Sequence, residues 1–117
     1  MSPADFDELV EKAFRRIPLR FRKRLYNVSI IVEQEPEPRY RGRLLGLYQG
    51  RPLPYRSSFE GFSMPDRITL FQGPIEREAR GPADVPRVIA DTLWHEIAHY
   101  FGMDERKVRQ VERRQGR

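Results

Sequence analysis

Hydrophobic positions at helical spacing open the chain. Phe6, Leu9, Val10, Ala13, Phe14 and Ile17 recur every three or four residues and predict an amphipathic helix over residues 3–17. Ser2 is placed to cap it, Pro3 fits its first turn, and Pro18 limits its end. A short helical or turn segment follows to about Leu25. The period then changes. Asn27 to Glu33 reads as a strand, stopped by the acidic, proline-bearing run Glu33–Pro38, and a second strand covers Leu44 to Tyr48. Residues 49–66 are rich in Gly, Pro, Arg and Ser and read as an extended loop, anchored by Tyr55, Phe59, Phe62 and Met64. A third strand, Arg67 to Gln72, leads through Gly73-Pro74 to a polar turn or short helix over Ile75–Arg80.

The second long helical pattern is different in kind. With Ile97 as reference, Ile89, Ala90, Leu93, Trp94, Tyr100 and Phe101 fall on one broad apolar arc. Val88, His95 and His99 lie opposite, flanked by Asp91 and Thr92. Asp84 is the expected N-cap, Pro86 is tolerated in the first turn, and Gly102 is a natural left-handed stop. A last helix is expected from Glu105 to about Gln115, with Asp104 as its cap. Helix, three strands, motif helix and terminal helix suggest an α+β fold. Its small three-stranded sheet, mixed or antiparallel, should pack helices on one side.

The only two histidines of the chain stand four residues apart, in His95-Glu96-Ile97-Ala98-His99. On a helix such residues lie one turn above each other, so both imidazoles can reach one metal ion. H-E-x-x-H is the layout of zinc hydrolases, with Glu96 as general base beside the two ligands. Gly102 follows His99 by three residues and Glu105 follows Gly102 by three, the metzincin spacing with a carboxylate in place of a third histidine. Glu105 is therefore a candidate third ligand. Asp104 competes with it, and Glu112 is a more distant choice. Asp91, one turn before His95, is a candidate to orient that imidazole. Tyr48, Tyr55, Tyr100 or an arginine are candidates to assist at the oxyanion, although the helical period puts Tyr100 on the core side. Strand 67–72 is the expected edge for an extended peptide.

Three segments in order carry a resemblance: Leu45–Gly50, Pro65–Phe71 and Trp94–Glu105. With them the chain resembles a small bacterial family of minimal zincin-like metallopeptidases bearing H-E-x-x-H-x-x-G-x-x-[DE]. The resemblance implies a compact zincin-like fold and one catalytic Zn²⁺ held by His95, His99 and Glu105. It does not supply a substrate beyond a peptide or protein. The chain departs from large zincins in having no downstream methionine turn; Met103, between the glycine and Glu105, reads as packing.

Composition narrows the rest. A length of 117 residues suits a single domain, 1–117, and 38% hydrophobic with 33% charged residues lies within the globular range. No apolar run is long enough for a membrane span, and the start lacks a signal-peptide core, so a cytoplasmic place is expected. With no cysteine, disulfides and thiolate ligands are excluded. The net charge is +5, with basic clusters at Arg15–Arg24 and Arg106–Arg117. Each reads first as a solvated face or basic tail, and second as a surface for nucleic acid. Three readings follow: a zinc metallopeptidase, a metal-binding protein without peptidase activity, and a basic nucleic-acid-associated module. The motif favours the first two.

Overall fold

The computed structural model describes residues 1–50 and 66–102 of the chain. Helix α1 spans Pro3–Arg16 and starts as its sequence dictates: the Ser2 hydroxyl accepts the Asp5 amide at 3.1 Å, with Pro3 in the first turn. Phe6, Val10 and Ala13 carry its buried stripe, and Ile17, already extended before Pro18, continues into the core. The short α2, Leu19–Arg22, seats Phe21 edge-on against Trp94 and Phe101, with ring centroids 5.1 and 5.6 Å away.

The sheet is mixed. Strand β1 is Val28–Glu33, β2 is Gly46–Gln49 and β3 is Asp66–Phe71, and their spatial order is β1-β3-β2. β3 runs parallel to β1, pairing Ile30 with Ile68, and antiparallel to β2, pairing Tyr48 with Ile68. This corrects one expectation. The third strand, expected as the edge for a peptide, is the centre of the sheet and has both of its hydrogen-bonding sides taken. Five of its six residues are buried, as suits a strand covered on both faces.

Gln72, expected to close β3, instead opens α3, Gln72–Glu78. Its buried side chain accepts from Gln34 at 3.0 Å and donates to the Met1 carbonyl at 2.9 Å, which fixes the sharp strand-to-helix exit. Helix α4, Val85–Tyr100, is the element common to the whole core: it packs on α1, β2, β3 and α3. Asp84 precedes it but does not cap it. That residue is helical itself, and its carboxylate instead accepts the Arg80 amide at 3.0 Å and Arg87 Nε at 2.7 Å. The other end matches expectation. Gly102 takes φ +72°, and its amide bonds the His99 carbonyl at 3.0 Å. Among the described residues no helix is long and apolar enough to cross a membrane. The loop anchors Tyr55, Phe59, Phe62 and Met64 and the expected last helix lie outside the described residues.

Candidate metal centre

α4 has an apolar face and a working face, and the cleft of about 410 Å³ lies on the second. Ile89, Leu93, Trp94, Ile97 and Tyr100 point into the core as the helical period requires. His95, Glu96 and His99 line the cleft with Val88, Asp91 and Thr92, and Leu44, Leu45 and Gly46 form the wall on the β2 side. Val88, expected beside the histidines, is there, but it is also buried, because the sheet closes over the first turns of the helix.

Each imidazole is engaged through Nδ1. His95 Nδ1 donates to the Asp91 backbone carbonyl at 2.9 Å, and His99 Nδ1 lies 3.2 Å from Glu96 Oε1. With Nδ1 used inside the helix, Nε2 is the nitrogen a metal would take in both rings. Asp91 therefore orients His95 with its main chain, not with its carboxylate. The carboxylate pairs with Arg87 at 3.4 Å.

Glu96 is the buried acid of the site, 9% exposed. Burial pushes its carboxyl above the ordinary glutamate range, against the opposing pull of His99 and of a hydrogen bond from the Tyr48 backbone amide. That last bond comes from the edge of the sheet. The Phe71 amide donates to the Leu45 carbonyl. By the alternation of an antiparallel ladder, the amides of Gly46 and Tyr48 face away from β3. So β2 turns its outer edge along the cleft, where Gly46 lines the wall beside Glu96.

Gly46 makes this approach possible. A Cβ there would stand 2.8 Å from Thr92 Cγ2, 3.1 Å from Glu96 Cγ and 3.3 Å from the Thr69 carbonyl. The strand can lie this close to α4 only without a side chain at that position. An isolated glycine in a strand signals close backbone approach, and Gly46 is the site residue that the strand pattern alone does not single out.

The tyrosines divide. Tyr100 is fully buried, and its hydroxyl accepts the Tyr26 amide at 3.2 Å and donates to the Arg24 carbonyl at 3.3 Å. The Tyr48 hydroxyl donates to Asp66 at 2.6 Å. Both rings are structural, and Tyr48 serves the site through its backbone. Glu105, Asp104, Glu112, Met103 and Tyr55 lie outside the described residues, and among the described residues no three His, Asp or Glu side chains converge as a ligand group. Two imidazoles on one helical face with a buried carboxylate beside them nevertheless suit a borderline divalent ion such as zinc.

A family model described as zincin-like metallopeptidase matches residues 25–115. No curated protein matches the chain. Among solved structures, it is similar to a conserved hypothetical protein from Thermus thermophilus. The two share 30% sequence identity over 86% of this chain and 94% of that one, with a TM-score of 0.62. The family model spans well over half of the chain, the sheet and the histidine helix included, and the chain belongs to the zincin-like metallopeptidase family.

Proposed function

We infer that the protein is a zinc-dependent peptidase that hydrolyses a peptide bond in the cleft between α4 and β2. The observation that carries the reading is the buried Glu96, whose carboxylate lies 3.2 Å from His99 Nδ1 and whose stem packs against the Gly46 backbone of the edge strand. His95 and His99 are the assigned ligands within α4, and Glu105 is the assigned third, ahead of Asp104. Zinc bound by this set supplies Lewis acidity toward water and the scissile carbonyl. Glu96 is the general base: its carboxylate takes the proton of the attacking water and returns it to the departing amine nitrogen. Burial favours the protonated carboxyl between those two transfers. His99 Nδ1, 3.2 Å away, holds the carboxylate in the cleft.

The peptide is assigned to β2, since β3 is closed on both sides. A chain laid antiparallel along the outer edge of β2 meets the Gly46 backbone beside Glu96. Small metal-binding proteins without catalysis would use the two histidines equally well, but would not need an acid buried between ligands and a strand edge.

The test is zinc stoichiometry and peptide cleavage together. Wild type is expected to bind one equivalent, with affinity lowered by His95→Ala and by Glu105→Ala. Glu96→Gln should keep the metal and lose cleavage by at least about a hundredfold. Cleavage at the wild-type rate in Glu96→Gln would remove Glu96 as the base. Wild-type protein that takes up no divalent metal would end the peptidase reading.

A further inference from the structure

The cleft does not stop at the histidines. It continues along α4 toward the start of the helix, with Leu44 and Leu45 on one wall and Val88 and Thr92 on the other. It ends at Glu78, the last residue of α3, and at Arg87 and Asp91. Wall and end differ in chemistry. Leu44 and Leu45 are half-buried and supply the aliphatic surface of this stretch, with the buried Val88 closing its floor.

The lining of the far end carries two carboxylates, Glu78 and Asp91, and one guanidinium, Arg87. Arg87 is the cation that lines it, and its guanidinium is already committed: Nε and Nη2 donate to Asp84 at 2.7 and 2.9 Å, and Nη1 to Asp91 at 3.4 Å. Arg87 thus serves two carboxylates, and Asp84 also lies in the field of Arg80. Glu78 makes no ion pair among the described residues. An aliphatic wall leading to an unmatched carboxylate is complementary to a long side chain with an apolar stem and a cationic head. A glutamate entering the same space would meet Glu78 and Asp91 with like charge.

We propose that this end of the cleft is a subsite for a lysine or arginine side chain of a polypeptide bound beside the histidines, with Glu78 as the residue that selects it. The subsite rests on the peptidase reading for its position in a substrate, but its binding chemistry can be measured without catalysis. Arg43 and Arg77 line the hollow on the other side of Glu78. Arg77 is held by Glu35 at 2.8 and 3.0 Å and by the Gly42 carbonyl, and Arg80 acts on Asp84, which leaves Arg43 as the competing cation among the described residues of this hollow.

The experiment titrates acetyl-Ala-Ala-Ala-Xaa-Ala-Ala-amide peptides into the full-length Glu96→Gln protein, with and without zinc, while following the methyl resonances of Leu45 and Val88. Xaa is lysine, norleucine or glutamate, so that stem and charge are separated. Lysine should bind about threefold more tightly than norleucine at low salt, the scale of one partly screened ion pair, and glutamate least. The advantage should shrink as salt is raised. Glu78→Gln should erase it, Glu78→Lys should transfer it to the glutamate peptide, and Arg43→Ser should enlarge it. Equal affinities for lysine and norleucine, a lysine preference unchanged in Glu78→Gln, or no methyl shift with any peptide would each overturn the subsite. Wild-type protein that leaves every peptide uncut while the charge pattern holds supports the subsite and counts against the peptidase reading. Cleavage indifferent to Xaa, with no preference in binding, does the reverse.

Discussion

A backbone carbonyl orients the first histidine of the motif, and this decides what its neighbours are for. Residue 91 lies one turn before His95 and offers two acceptors, a carboxylate and a main-chain oxygen; the spacing alone does not separate them, since every helical residue presents a carbonyl one turn back. The structure uses the main-chain oxygen, 2.9 Å from Nδ1, and spends the carboxylate on Arg87. Asp91→Ala should therefore change zinc affinity by no more than about threefold in a competitive chelator titration. A carboxylate that oriented the ring would cost about 10- to 100-fold when removed, and a loss of that size would return Asp91 to the site. The same distinction applies to Glu96. Its place in the motif was legible, because H-E-x-x-H is a spacing rule. Its burial and its bond from Tyr48 were not, because both come from a strand nearly fifty residues earlier in the chain.

Elements were easier to read than their neighbours. α1 and α4 lie within a residue or two of the segments their hydrophobic period marks, and all three strands were located to within two residues at either end. Strand order was not legible, since alternation records which faces are covered and not which strand lies alongside. One signal was present: Ile68, Thr69, Leu70 and Phe71 form an unbroken buried run, the pattern of a central strand, and it argued against an edge role for β3. The element that matters for chemistry is instead β2, and Gly46 sets its distance from α4. Gly46→Ala forces a methyl against Thr92, which is buried and has little room to retreat. Destabilisation of about 1–3 kcal/mol is expected from urea unfolding, together with a displaced Glu96 and reduced cleavage. Thr92→Ser removes the opposing methyl and keeps the hydroxyl, so the double variant should recover part of the lost stability. Additive losses in the cycle would show that β2 and α4 do not press on each other at this point.

At the scale of the molecule, α3 is tied from two distant parts of the chain and also forms the closed end of the cleft. The N-terminal ammonium donates to Glu76 at 3.0 Å, and Arg77 grips Glu35, which follows β1. Both carboxyls are held below the ordinary glutamate range, Glu76 chiefly by the ammonium and Glu35 chiefly by Arg77. A carboxyl with a depressed pKa in the folded state contributes stability that is present above its unfolded value and lost as pH falls through the folded one. With unfolded glutamate near about 4.3, the loss begins below roughly pH 4.5. Glu96 works in the opposite direction, since its raised carboxyl favours folding as it protonates. The two signs mix in any single pH curve, so the informative quantity is a difference. Arg77→Gln should lower the urea midpoint at about pH 6–8 by a small amount, because the pair is exposed, and the gap to wild type should close below about pH 4.5 or in about 1 M salt. A gap unchanged between about pH 7 and about pH 3 would mean that Arg77 acts through packing rather than charge. Where the gap does close, amides of α3 should lose protection from hydrogen exchange before those of α4. α3 carries Glu78 and packs on α4, so acid would then loosen the far end of the cleft while the histidine helix stays formed.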